Sequence, residues 1–154
     1  MFINYTEIIY TAFICYLAGS IPFGLLLSII FEKNDPRLGG SKNIGATNIA
    51  RLSGWKLGLS TLLLDILKSF FIIYFFFLNT NFVGLAIISV FLGHLFPVWL
   101  KFKGGKGVAV YIGILLAYNF PVSLVFLFVW AFIAIIFKYS SLSALSASMI
   151  ALNI

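Results

Sequence analysis

Charge is what this 154-residue sequence has least of: 9% of its residues are Asp, Glu, Lys or Arg, and only four are acidic. Ordinary globular domains carry about 25%. Hydrophobic residues make up 62%, and the mean hydropathy is +1.14. A soluble domain this short could not hide so much apolar surface. The composition excludes a cytosolic domain, a disordered chain and a coiled coil, and leaves an integral membrane protein. The lone cysteine, Cys15, excludes a disulfide scaffold. One cysteine, one histidine and four acids leave too little for a structural zinc site, which needs about four ligands, so no metal is expected. With a single histidine, no Ser-His-Asp set or Cys-His pair is evident.

What is present is a series of long apolar runs. A spanning helix needs about 20 mainly apolar residues. The expected spans are 8–30, 55–78 and 82–100, with a polar stretch at 31–54 and a basic, glycine-rich stretch at 101–107. The run 108–137 is too long for one span and short for two, and Asn119-Phe120-Pro121 reads as a break. Two helices are expected, 108–118 and 122–137, the first reaching only part way across. A last segment begins near Ser141 and continues to 154. The fold class is therefore all-α: a polytopic helical membrane bundle of about five helices plus a partial sixth.

The net charge of +6 is explained by where the basic residues fall. Lys33, Arg37, Lys42, Arg51 and Lys56 lie in or beside the first connection, Lys101, Lys103 and Lys106 in the third, and Lys138 in the fifth. The second and fourth have none. The positive-inside rule puts connections one, three and five in the cytoplasm and the N-terminus outside. No nucleic-acid partner is needed. Nothing basic precedes the first span, and Glu7 sits at its start, so it reads as a permanent span rather than a signal peptide.

The cytoplasmic connections carry groups suited to phosphate. In the first, glycines let the backbone approach an anion, Ser41, Asn43, Thr47 and Asn48 add hydrogen-bonding groups, and Arg51 offers a bidentate fork. A solvated loop is the competing reading of this stretch. In the third, Gly104, Gly105 and Gly107 surround Lys106, and a helix starting near Val108 would bring its N-terminus to the same place. A positive-inside anchor accounts for Lys101 and Lys103 but not for three glycines around Lys106. This is not a Walker A loop: Leu100 stands where its first glycine would be, and Gly107 where Ser or Thr would be. His94 either faces a cavity or hydrogen-bonds to a neighbouring helix. Asp65 and Lys68, three apart on the second span, read as a structural ion pair. Gly19, Ser20, Pro22 and Gly24 read as close packing and a kink. Acyl transfer by a histidine followed by Asp five residues later would need Asp at 99, where Trp99 stands. An already activated donor such as an acyl phosphate would remove that need, with Lys106 and Arg51 stabilising the leaving phosphate.

The stretch Gly40-Ser41-Lys42-Asn43-Ile44-Gly45-Ala46-Thr47-Asn48 followed by Arg51 resembles the first signature of the bacterial acyl-phosphate:glycerol-3-phosphate acyltransferases, the PlsY family. Residues 93–109, with Gly93-His94-Leu95-Phe96-Pro97 and Lys103-Gly104-Gly105-Lys106-Gly107, are similar to its second. The resemblance implies a multi-pass enzyme of the bacterial cytoplasmic (inner) membrane, working without cofactor. It would move a fatty acyl group from acyl phosphate to the 1-hydroxyl of sn-glycerol 3-phosphate, giving lysophosphatidate and phosphate in phospholipid synthesis. It also implies a functional link to an enzyme that makes acyl phosphate. The resemblance implies Lys106 and Arg51 as catalytic, and Ser41, Asn43, Gly45, Thr47, Asn48, Gly104, Gly105, Gly107 and Ser141 as substrate-binding, with His94, Lys101 and Lys103 supporting. Ser140 is a weaker carry-over. Lys42 replaces a usual glycine, and Ala144 stands where a second serine is frequent. The family's final signature, with His and Asn, has no counterpart in 1–154. The expectation is one acyltransferase domain lacking its C-terminal part, weakly active or inactive alone. A transporter or binding protein for a phosphorylated metabolite, or an inactive truncated remnant, are the competing functions.

Overall fold

A computed structural model describes residues 5–153; residue 154, the end of the expected last segment, lies outside them. The described residues form eight α-helices: α1 (Tyr5–Gly19), α2 (Phe23–Ile30), α3 (Ala46–Ser53), α4 (Trp55–Asn79), α5 (Val83–Leu95), α6 (Val108–Tyr118), α7 (Phe120–Phe137) and α8 (Ser140–Ala151). A 3-10 turn covers Val98–Leu100. Six apolar segments match those expected. The count is higher because the first span is broken in two and because the first connection contains a helix.

The break between α1 and α2 bends the chain by 40°. Pro22 lacks the N–H a continuous helix would use there. The break is held from outside: the Trp99 indole N–H donates to the Ser20 carbonyl (3.0 Å) and hydroxyl (2.8 Å). Pro97 has a similar effect on the third span, where α5 ends at Leu95 rather than running to residue 100.

The helix missed in sequence, α3, is amphipathic. Asn48 and Ile49 are buried, and Ala50 meets Gly58 of α4 so closely that a Cβ on Gly58 would lie 2.4 Å from it. Between α3 and α4 stands Gly54 at φ +94°, a backbone angle that side chains resist. Polarity hid this helix, because four of its eight residues, Thr47, Asn48, Arg51 and Ser53, are polar and it lies within a longer polar stretch.

Helices in lipid gain little from hydrophobic exclusion and associate through close packing of small residues. Gly19 of α1 would place a Cβ 2.1 Å from the Val90 carbonyl of α5, and Gly93 would place one 2.2 Å from the Tyr16 carbonyl. Gly113 of α6 abuts the Ile66 carbonyl of α4 in the same way, at 2.3 Å. The α1·α5 and α4·α6 pairs are thus backbone-close contacts. Buried serines return their hydroxyls to their own helix, as Ser28 does to Gly24 and Ser143 to Tyr139. Large apolar side chains such as Phe128 and Ile135 cover the outside, as a lipid-facing surface requires. At 11 residues, α6 reaches about half of a bilayer core of about 30 Å.

Candidate active site

One end of the bundle opens into a cleft of about 730 Å3, and residues from connections one, three and five line it together. Such a volume suits a small-molecule site. Ser41, Asn43, Gly45, Thr47, Asn48 and Arg51 reach it from the first connection and α3, Lys106 and Gly107 from the third, and Ser140 and Ser141 from the start of α8. His94 lies at its edge from α5. The structure therefore brings both expected catalytic cations into one cleft.

The first connection is shaped by Asn48. Its amide nitrogen donates to the carbonyls of Pro36 (3.0 Å), Gly39 (3.2 Å) and Asn43 (2.9 Å). Its oxygen accepts from the Ser41 N–H at 2.9 Å. Asn48 is 1% exposed, so its polar atoms hold the loop. Asn43 accepts from the Gly45 N–H at 2.9 Å, turning the chain into α3. Lys42 sits at φ +55°, a left-handed backbone angle that favours glycine. Ser41, Thr47 and Arg51 remain exposed beside the cleft.

The third connection folds back on α5. The Gly104 and Gly105 N–H groups donate to the Leu95 (3.0 Å) and His94 (3.1 Å) carbonyls, capping a helix that Pro97 ends early. These two glycines lie behind the cleft rather than in its lining, and a Cβ on Gly105 would fall 2.1 Å from His94 Nε2. Lys101 and Lys103 are exposed outside the cleft. Gly107, at φ +83°, starts α6 and frees Val108 and Ala109 to line the cleft. The N-termini of α3 and α6 thus both reach the cavity, with Arg51 and Lys106 beside them. Unbonded N–H groups and positive dipole ends at two helix starts favour an anion there.

The opposite wall is apolar: Leu59 and Leu62 of α4, Trp130 and Ala134 of α7. Sequence reasoning did not single these out, because apolar positions on spanning helices carry no local mark of what they face. It used Lys138 only for topology, yet Lys138 also lines the cleft, at φ +58° on the end of α7. Deeper still, Asp65 and Lys68 form the expected ion pair at 2.6 Å. Away from the cleft, the Arg37 guanidinium holds the Asp35 carboxyl below the usual carboxylate range through a 2.7 Å ion pair.

A polytopic helical bundle with a cleft at one end, lined by cations and two helix N-termini on one side and by apolar side chains on the other, defines an integral membrane protein with a site suited to a small anionic ligand. Comparison with known proteins specifies the family. The model for glycerol-3-phosphate acyltransferases matches residues 9–154. A glycerol-3-phosphate acyltransferase of Pelagibacter ubique (strain HTCC1062) is 51% identical over 144 residues, covering 93% of this chain and 75% of that protein. One from Bartonella quintana (strain Toulouse) is 51% identical over 141 residues, covering 88% of this chain and 67% of the other. Among solved structures, PlsY (YgiH), an integral membrane glycerol 3-phosphate acyltransferase in its glycerol 3-phosphate form, superposes with a TM-score of 0.87 at 34% identity, over 94% of this chain and 74% of that one. The chain belongs to the glycerol-3-phosphate acyltransferase family, in its PlsY branch.

Proposed function

We propose that this protein transfers a fatty acyl group from acyl phosphate to the 1-hydroxyl of sn-glycerol 3-phosphate in the bacterial inner membrane, with the cleft open to the cytoplasm. Acyl transfer to glycerol 3-phosphate is the family's reaction. The donor and the membrane side rest on the chemistry of the cleft and on the basic connections that surround it.

The observation that carries the reading is the meeting of two helix N-termini, Arg51 and Lys106 in one cleft whose other wall is apolar. The polar side suits phosphate, and the wall of Leu59, Leu62 and Trp130 suits an acyl chain entering from the bilayer. The glycerol hydroxyl oxygen attacks the acyl carbonyl carbon. The bond from that carbon to the phosphate oxygen then breaks, and inorganic phosphate leaves with the electron pair. The leaving phosphate takes the hydroxyl proton. Lys106 and Arg51 stabilise the charge gathering on it. Ser41, Thr47 and Ser141 offer hydroxyls to the phosphoryl oxygens, while Asn43, Gly45 and Asn48 shape the loop that presents them. Gly104 and Gly105 set the path of the chain into Lys106. Lys101 and Lys103 act as charges at the membrane face. Residues 1–154 form one domain in this reading, and an enzyme making acyl phosphate would supply the donor.

The test is product formation in membranes carrying the protein, given palmitoyl phosphate and labelled glycerol 3-phosphate. Lysophosphatidate that is lost in Lys106→Ala, with insertion intact, supports the reading. Product formed equally from acyl thioesters, or unaffected by Lys106→Ala, would overturn it.

A further inference from the structure

The buried cluster under the cleft fixes the proton of the chain's one histidine. Lys68 is an ammonium with three N–H donors and no acceptor. Three acceptors surround its Nζ: Asp65 Oδ1 at 2.6 Å, the Ile21 carbonyl at 2.7 Å and His94 Nδ1 at 3.1 Å. The Ile21 carbonyl is within reach because the helix breaks at residues 20–22. Because the ammonium can only donate, His94 Nδ1 must accept, which makes the ring neutral and leaves its proton on Nε2. An Nδ1–H would face a cation, and the nearest carboxylate oxygen, Asp65 Oδ1, is 3.9 Å away, beyond hydrogen-bond reach. Nε2 itself lies beside the Gly105 backbone, at the root of the loop that carries Lys106. The ring is 5% exposed and lines the cleft.

We infer that Lys68, anchored by Asp65, locks His94 as the neutral Nε2–H tautomer, and that this N–H donates a hydrogen bond to a phosphate oxygen of the substrate bound beside Lys106. His94 is then a neutral donor and not a general base, since its lone pair is already engaged. Lys68 and Asp65 are positioning residues acting through it. The break at Pro22, the ion pair and the histidine thereby serve one end. This rests on the cleft being a phosphate-ester site, as proposed above, but not on which acyl donor is used.

The sequence contains a single histidine, so a spectrum of 15N-imidazole-labelled protein reports on His94 alone. The expected spectrum shows a protonated Nε2 and an unprotonated Nδ1 at neutral pH. Glycerol 3-phosphate, and more weakly inorganic phosphate, should shift Nε2 and leave Nδ1 in place. Lys68→Met should convert the single tautomer to a mixture. An imidazolium, an Nδ1–H tautomer, or an Nε2 signal indifferent to saturating glycerol 3-phosphate would overturn the inference.

Two activity variants complete the test. Gln can place an amide N–H near the position of Nε2, whereas Asn reaches only to the position of Nδ1. His94→Gln should keep kcat/KM for glycerol 3-phosphate within a few-fold of the parent. His94→Asn should lose about 10- to 100-fold, the worth of a hydrogen bond to a charged group. Equal losses in both at unchanged thermal stability would count against a donor at Nε2. The phosphate titration needs no acyl donor, so a wrong donor and a wrong tautomer fail in different experiments.

Discussion

Gly105→Ala is the smallest change that tests how the active cleft is braced. The added Cβ would sit 2.1 Å from His94 Nε2, 2.8 Å from Cε1 and 3.1 Å from Cδ2. Ordinary contact begins at 3.4 Å, so ring and loop must part by about 1.3 Å. The ring cannot swing away cheaply, because Nδ1 is held by Lys68 and its neighbour Gly93 is wedged against the Tyr16 carbonyl. The loop must therefore move, and Lys106 with it. Overpacking of this kind costs about 1–3 kcal/mol of stability. A shift of about 1 Å in a catalytic group costs about 100-fold in rate. The variant should melt earlier in detergent and lose about two orders of magnitude in kcat/KM for glycerol 3-phosphate. Gly84→Ala is the matched control: nothing lies within 4 Å of its added Cβ, and alanine favours the helix by up to about 1 kcal/mol. A Gly105→Ala protein with parental melting temperature, kcat and KM would refute the packing argument.

Arg51→Ala and Lys106→Ala should each lower turnover by about 10²–10³-fold while the protein still inserts, measured as lysophosphatidate formed per inserted protein; a loss under threefold in both would remove them from the chemistry. Lys42→Gly relieves a left-handed backbone angle of φ +55° and should raise thermal stability by up to about 1 kcal/mol, read from the unfolding midpoint. Asp65→Asn leaves the Lys68 ammonium buried without its carboxylate and should cost about 3–5 kcal/mol. Adding Lys68→Met to that variant should recover more than half of the loss; simple additivity of the two changes in a thermal unfolding cycle would show that the pair is not coupled.

The sequence determined the class of the fold and the chemistry of the connections. Membrane helices announce themselves because each must be long and apolar along its whole length, a property of the segment alone. The alternation of basic and uncharged connections is likewise local, and it assigned Arg51, Lys106 and Lys138 to one side before any coordinates. The cleft brings all three together. The Asp65–Lys68 pair followed from spacing, and Pro22 announced the kink in the first span, whereas the early end of α5 before Pro97 did not follow from the sequence reading.

What remained hidden depended on neighbours distant in sequence. The amphipathic period of α3 was too short to stand out within a polar stretch, and its inner face became evident only where Ala50 meets Gly58 of α4. Asn48, which read as a ligand for substrate, is spent on four loop hydrogen bonds that its composition could not reveal. Gly104 and Gly105, grouped with Lys106 by adjacency, face the end of α5 instead. For His94, two readings were open in the sequence, and the structure joined them, placing it both at the cleft and against Lys68. Residue type and spacing fix what a segment can do and how it must meet the bilayer. Which donors and acceptors are already satisfied is decided only when separate helices pack, because a hydrogen bond joins atoms by distance and not by order along the chain.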